Sequence, residues 1–294
     1  MSAVAELMGL TWDQVDGIMQ RAVRRGLARR ADLEPVRVGI DETSFQKRHE
    51  YVTVVTDLDS RDVIYVADDR KRAILEGLFD QLEPADLLRI EAVSMDMWQP
   101  YISVVESFVH DAEKKICFDQ LHVAKYLGNT VDKVRREEQP GQVAEGDRSL
   151  VRTNFLWLRN PENMDKNQSA FFDRMKRIAV RTSLAWALKE QAMCLWHYSS
   201  RTWTRKGWDA WISWAKRSRL EPMKKVAASI SSHVDGIINA VVLSATNAAS
   251  ESIDASIQCV KRMACGFRNR ERFRNAIYFH LGGLDLQPAA HTRS

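Results

Sequence analysis

The sequence predicts an α/β chain, a mixed five-stranded sheet flanked by helices, with an all-α insertion before its last helices. Three observations carry this. β-branched runs with strand period recur three times between Val36 and Asp68, separated only by short turns. Two further apolar runs, closing at Asp96 and at Asp119, are each reached through a helical stretch. After Asp119 strand signals stop, in a region that holds seven of the nine tryptophans.

Residues 1–33 read as a partial helix-turn-helix. Gly9 separates two short helices, Thr11 caps the second with Gln14 reaching back to it, and Arg21, Arg24 and Arg25 give that helix a basic end suited to a major groove. Residues 34–124 form the first part of the sheet domain. VRVGID, YVTVVTDL and RDVIYVAD are three antiparallel strands, the first expected to end at Asp41. A helix over residues 71–82 is closed by Pro84, and residues 87–95 read as a buried strand ending at Asp96. Pro100 opens the next helix, and KKICFD supplies a fifth strand. The order β-β-β-α-β-α-β is the topology of the ribonuclease H-like fold. Residues 125–234 are the all-α insertion, with turn chemistry at Gln139-Pro-Gly, Asn160-Pro-Glu and Glu221-Pro222. Residues 235–284 return to the sheet domain through a long helix to Met263, a break at Gly266 and a further helix from about Arg270 to His280. Residues 285–294 have no apolar period and are expected to be a disordered tail.

Composition narrows the function classes. At 294 residues and 45% hydrophobic content a core of ordinary size is expected. The four cysteines stand far apart without a C-x-x-C pair, which argues against disulfides and structural zinc. No leader pattern and no membrane-length apolar run is present, so a cytoplasmic protein with no membrane partner is expected. Net charge is only +4, but positive residues concentrate in 201–219 and 261–274 among aromatic ones, which suits a polyanion.

In this strand order the first and fourth strands are neighbours, so Asp41 and Asp96 should lie side by side. Taken singly, an Asp at a strand end is an ordinary turn residue. Two carboxylates this close resist joint ionisation unless a cation sits between them, and hard oxygen ligands select Mg²⁺ or Mn²⁺. A third carboxylate should come from a late helix. There Asn247, Glu251, Asp254 and Gln258 form a polar stripe opposite Ala249, Ile253, Ile257, Val260 and Ala264, so Glu251 is the candidate, against the bland reading of a solvated helix face. Two ions about 3.5–4 Å apart would then serve in-line phosphoryl transfer. Glu42 should point to the opposite sheet face, as a group supporting the site or an alternative ligand. Asp119 in DQLH is a supporting group, DNA contact or alternative ligand, and His122, with no nucleophile near it, is more simply structural.

These residues carry a resemblance. GIDETSFQKRHEYVTVVTDLDSRDVIYV, AVSMDMWQPY, FDQLHVAKYL, VDKVRREE and TNAASESIDASIQCVKRMACGFRNRERFRNAI closely resemble the ISL3 family of bacterial insertion-sequence transposases, from about residue 3 to residue 283. The resemblance implies a DDE triad on Asp41 of GIDE, Asp96 of SMDM and Glu251, four residues after Asn247. It also implies an insertion domain between Asp119 and Glu251, and the element's terminal inverted repeats as substrate. The family tends to have glycine at the positions of Ala248 and Ser252 and asparagine at that of Asp254. Its members typically begin with a zinc-binding module, for which this sequence has no ligands ahead of the first helix.

Phosphate contacts are expected from Arg201, Arg205, Lys206, Lys216, Arg217 and Arg219 in the tryptophan-rich stretch, and from Lys261, Arg262, Arg268 and Arg270 after the Glu251 helix. Trp208, Trp211 and Trp214 step along one helical face and read as core. The expected activity is metal-dependent cleavage and strand transfer of double-stranded DNA by a homodimer, since two ends must be paired. The alternative is a catalytically idle short form that binds DNA or represses transposition.

Overall fold

The structure is a computed structural model that describes residues 2–31, 33–46, 50–68, 72–159, 161–245 and 248–288. It divides into two compact units, one of residues 1–117 with 245–294, the other of residues 118–244.

The first unit opens with α1 (Ser2–Met8) and α2 (Trp12–Arg29). Between them Gly9 takes φ +64°, a conformation that favours glycine, and Thr11 and Gln14 complete the expected capping box. Three antiparallel strands follow, β1 (Arg37–Gln46), β2 (Glu50–Asp57) and β3 (Val63–Ala67). β1 does not end at Asp41 as expected. It runs five residues further because Thr43, Ser44 and Gln46 remain paired to β2. Next come α3 (Arg72–Phe79) and α4 (Pro84–Arg89), then β4 (Ala92–Met95). Part of the expected 87–95 strand is therefore helical. Pro84 sets the first turn, Asp86 lies near the positive helix end and Arg89 near the negative one, and these local preferences outweigh the apolar run. α5 (Gln99–Phe108) carries Pro100 in its first turn, and α6 (Ala112–Lys115) leads into β5 (Ile116–Phe118). The sheet order is β3-β2-β1-β4-β5, with β1 and β4 parallel.

After Phe118, the regular elements of the second unit's described residues are all helical, and its main helices are α7 (Gln120–Ala144), α8 (Asn154–Leu158), α9 (Lys166–Ile178), α10 (Val180–Cys194), α11 (Arg201–Arg217) and α12 (Glu221–Val242). The turn expected at Gln139-Pro-Gly is absent. Pro140 lies inside α7, about one turn before its end, where its fixed φ is compatible with the helix although its missing N–H leaves one carbonyl of the preceding turn without its usual donor. Pro222 likewise opens α12 instead of making a turn. Aromatic rings fill the core, with Trp157, Trp208 and Trp211 at most 2% exposed and the Trp211 indole donating to the Leu188 carbonyl at 2.7 Å.

The chain returns to the first unit with α13 (Ala248–Met263) and α14 (Arg270–Leu281). A single helix over residues 235–263 was expected, but Ser244 takes φ +49°, which a right-handed helix cannot contain, so α12 and α13 are separate. Of the expected tail, residues 285–287 are irregular yet held on α2. Arg29 contacts the Asp285 carboxylate at 3.2 Å and the Gln287 carbonyl at 2.8 Å, and Leu286 packs on the core. The remainder, residues 289–294, lies outside the described residues.

Strand alternation gives the sheet two faces. Phe45 of β1 and Val52 and Val54 of β2 face a cluster that includes Ile253, Ile257, Phe273 and Ile277, the inner faces of α13 and α14. Thr53, on the opposite face, shares a hydrogen bond of 2.7 Å with the Tyr101 hydroxyl of α5. Burying Ile253 and Ile257 stabilises this layer by about 1.5–3 kcal/mol each. Among the described residues no helix is long and apolar enough to cross a membrane.

Candidate active site

Asp41 and Asp96 are set by the pairing of β1 with β4. That ladder runs Arg37 with Ala92, Val38 with Val93 and Gly39 with Ser94, then stops. Asp41 and Asp96 each stand two residues past its last pair, so they occupy equivalent places on adjacent parallel strands and share the α13 face. Both are partly buried. The local geometry repeats as well. The Glu42 N–H donates to the Asp41 carboxylate at 2.7 Å, and the Met97 N–H donates to that of Asp96 at 2.7 Å. A backbone donor so placed orients each carboxylate.

α13 lies along β1 in a definite register. Ser250 stands directly over Gly39, where a Cβ would collide with its hydroxyl. Two turns on, the Gln258 amide donates to the Thr43 hydroxyl at 2.6 Å, and Lys261 Nζ donates to the Ser44 carbonyl at 2.7 Å. Four residues of helix rise about 6 Å and two of strand about 6.6 Å, so the steps match. Position 254 therefore falls opposite position 41. Asp41 and Asp254 border one small, mostly apolar cavity together with Glu42, Thr43, Thr56 and Ser250, and Val54, Ile253 and Ile257 wall the rest of it.

Glu251 lies about 60° around α13 from Asp254, on the flank away from Ile253 and Ile257. Those isoleucines pack toward β2, which leaves Glu251 on the β4 side, where Asp96 belongs. Its side chain is exposed and does not line the cavity. Among the described residues no three His, Cys, Asp or Glu side chains converge closely enough to hold a metal as they stand. Asp41 and Asp96 thus share one end of the β1–β4 ladder, and the exposed Glu251 forms no closed cluster with them.

The other expected residues divide. Glu42 pairs with Thr53, whose side chain faces α5 on the opposite side of the sheet, and also borders the small cavity beside Asp41. Asn247 lies outside the described residues. Asp119, 4% exposed, caps α7 through the His122 N–H at 3.3 Å and lies 3.2 Å from His122 Nδ1. Lys261 is tied to Ser44, and Arg270 reaches Glu50 at 3.3 Å and the Tyr51 carbonyl at 3.4 Å, whereas Arg262 and Arg268 are exposed. In the helical unit Arg201 donates to Asn239 Oδ1 at 2.7 Å and Arg205 pairs with Asp235 at 3.0 Å. Lys206, Lys216, Arg217 and Arg219 are exposed there, and Lys206 lies over the ring of Trp203, itself 64% exposed. Sequence reasoning missed Gly39, Ser250 and Asp254 as site-forming residues. The signal was a glycine inside a strand, which marks a close approach to the backbone.

Comparison with known proteins places the chain in a family. The DDE transposase family profile of the ISL3 type, described as transposase, covers residues 38–277. The chain is 28% identical over 277 residues to the transposase for insertion sequence element IS1001 of Bordetella parapertussis, an alignment covering 93% of this chain and 68% of that protein. It is 29% identical over 294 residues to the transposase for insertion sequence element IS1557 of Mycobacterium tuberculosis, covering 91% of this chain and 65% of that protein. The chain thus spans about two thirds of the length of these relatives. With more than half of its residues matched, and with Asp41, Asp96 and α13 inside the match, the chain belongs to the ISL3 family of transposases.

Proposed function

We propose that this chain is the catalytic part of a DDE transposase with a ribonuclease H-like core, which cleaves double-stranded DNA at terminal inverted repeats and joins the ends to a target. The observation that carries the reading is the common place of Asp41 and Asp96 past the last pair of the β1–β4 ladder, with Glu251 on the β4 flank of α13.

The donor set fits Mg²⁺ or Mn²⁺. All three candidates are carboxylates, and Asp41 and Asp96 are each oriented by the following backbone N–H. Asp41, Asp96 and Glu251 would hold two ions, which activate water or a 3′-hydroxyl and stabilise the leaving oxygen when bound. The protein's own part is positioning. β1 and β4 fix two carboxylates through the sheet, while Gln258 and Lys261 fasten α13 to β1 and so fix the third. Exposed Arg262 and Arg268, past the Glu251 turn of that helix, suit phosphate contacts. Pairing of two ends calls for a homodimer.

The test is incubation of the purified protein with inverted-repeat DNA and with random DNA, in Mg²⁺ and in Mn²⁺. Nicking and joining confined to inverted-repeat DNA, lost in Asp41→Ala, Asp96→Ala and Glu251→Ala variants that remain folded, is the expected result. Equal cutting of random DNA would make the chain a nuclease. Retained activity in all three variants would sink the assignment, and binding without cleavage would favour the idle DNA-binding form.

A further inference from the structure

A groove of about 930 Å³ lies in the first unit, between the α1–α2 pair and the joint of α13 with α14. Its floor is Met19, Val260 and Ala276, with Phe267 and Phe279 partly buried beside them. Val4, Trp12, Ile18 and Met263 stand exposed in its walls. Leu7 and Met8 follow Val4 at helical spacing and extend the same apolar face of α1 beyond the groove, with Leu7 84% exposed. Apolar side chains scattered singly on a surface need no explanation, but a contiguous patch of this kind marks a contact site.

The chemistry of the groove selects its occupant. Arg272 reaches the buried Asp16 carboxylate at 3.0 Å and lies over the Trp12 ring at 4.5 Å. Asn269 caps α14 by accepting the Glu271 and Arg272 N–H groups, and His280 packs edge-on against Phe279. A small-molecule site needs polar groups placed to orient its ligand, and these are engaged within the fold. The rim carries both signs, with Glu6 and Asp13 exposed on the α1–α2 side and Arg268 exposed on the α14 side. The acidic side repels a polyanion, and the arginine repels a basic peptide. A surface apolar at its centre and mixed in sign at its rim suits a second copy of itself, because a two-fold axis sets each edge against the opposite one. The size fits as well. Eighteen described residues line the groove, and with Glu6, Leu7, Met8 and Asp13 the patch reaches the about 20–30 residues a side of a standard interface.

We propose that this groove is the homodimer interface, with Leu7 and Met8 of each copy seated in the groove of the other. Projection and groove belong to one patch, so the contact closes after two copies and builds no filament. The inference rests on the function proposed above, which calls for two copies to pair two ends, and names the surface that joins them.

The test is sedimentation equilibrium of the full chain, without DNA or metal, from about 1 to 100 µM, a range that covers interfaces of modest affinity. Wild type should approach twice the 33.7 kDa of one chain. Leu7→Asp and Met263→Lys, one on each side of the groove, should each raise the dissociation constant about tenfold or more. Both side chains are exposed, so the monomer should keep its fold by circular dichroism. Phe155→Asp, an equally exposed apolar position in the other unit, should leave the association unchanged. A wild type that is monomeric across the range overturns the proposal and leaves the groove to a different protein. A dimer that survives Leu7→Asp and Met263→Lys, or that Phe155→Asp weakens as much, overturns it too, because association then uses another surface. If one of the two groove variants fails to fold, the other decides. The catalytic reading stands or falls separately, on nicking of inverted-repeat DNA by wild type and Asp41→Ala.

Discussion

Gly39 and Ser250 meet with no room for a side chain on the strand. A Cβ at position 39 would overlap the Ser250 hydroxyl and approach Leu58 Cδ2 to 2.7 Å. Glycine here is not a turn residue. Its missing side chain lets α13 lie against β1, and the depth of that contact sets where the carboxylates of α13 stand relative to Asp41.

Gly39→Ala should therefore lower stability by about 1–3 kcal/mol, the usual range for overpacking a filled site. Gly39→Ala combined with Ser250→Gly should recover only part of the loss, because the contact with Leu58 remains. Urea denaturation reads both values, and a Gly39→Ala variant as stable as wild type would show that α13 can lift off the strand without cost. In the cleavage assay the same variant should lose more activity than its folded fraction explains.

The basic residues after Glu251 should separate by function although they are neighbours in sequence. Lys261 holds the Ser44 carbonyl and hydroxyl, so Lys261→Met should cost about 1.5–3 kcal/mol, the range for a hydrogen bond to a charged group. Arg262→Ala and Arg268→Ala remove exposed charges. They should leave Tm nearly unchanged, weaken DNA binding and reduce the slope of log affinity against log salt by about one each. Identical behaviour of all three variants in melting and in salt titration would remove the distinction.

In the helical unit the same logic divides the tryptophan-rich helix. Arg201 satisfies Asn239, which is fully buried, so Arg201→Ala should destabilise by about 1–3 kcal/mol through the amide left unpaired on that side. Lys216→Ala and Arg217→Ala should act on DNA affinity alone, since both side chains are exposed. Melting curves and binding isotherms at two salt concentrations separate the classes, and a stable Arg201→Ala variant with weakened DNA binding would restore Arg201 to the phosphate-contact group.

How far the site was legible depended on whether the signal was local. The strands of the meander announce themselves by β-branched runs, and the order of crossovers then makes β1 and β4 neighbours, so Asp41 and Asp96 could be paired before any coordinates. The capping box at Thr11 and Gln14 is a contact over three residues and was equally visible. What failed was competition between close alternatives. Leu87, Leu88 and Ile90 are apolar enough for a strand, but Pro84, Asp86 and Arg89 complete a helical turn, and no pattern of hydrophobicity decides between them. The break between α12 and α13 rests on one positive φ at Ser244, a residue type that does not advertise it. Asp254 was visible as a member of a polar stripe, yet its place opposite Asp41 depends on the register of a helix on a strand more than 200 residues away, set by Gly39, Thr43 and Ser44. Pairing at that distance has no expression in local sequence.

Tyr278 gives the fold a pH dependence whose sign can be worked out. Its hydroxyl lies in the core and accepts the Val66 N–H of β3 at 2.9 Å, with the Arg30 guanidinium 5.7 Å from its ring centre. Burial raises its pKa above the ordinary 10, a push only partly opposed by the Val66 hydrogen bond and by Arg30. The folded protein therefore keeps a proton that the unfolded chain releases. Its contribution is fully present below about pH 10 and is lost as pH rises through the raised folded value. Tyr278→Phe should cost about 1–3 kcal/mol at neutral pH, because the Val66 N–H loses its acceptor inside the core. Above pH 10 its stability should decline less steeply than that of wild type, since phenylalanine has no proton to lose. Tm measured from pH 8 to pH 11 for the two proteins tests this. Curves that stay parallel across that range would mean that Tyr278 ionises alike in both states and that its burial does not govern its titration.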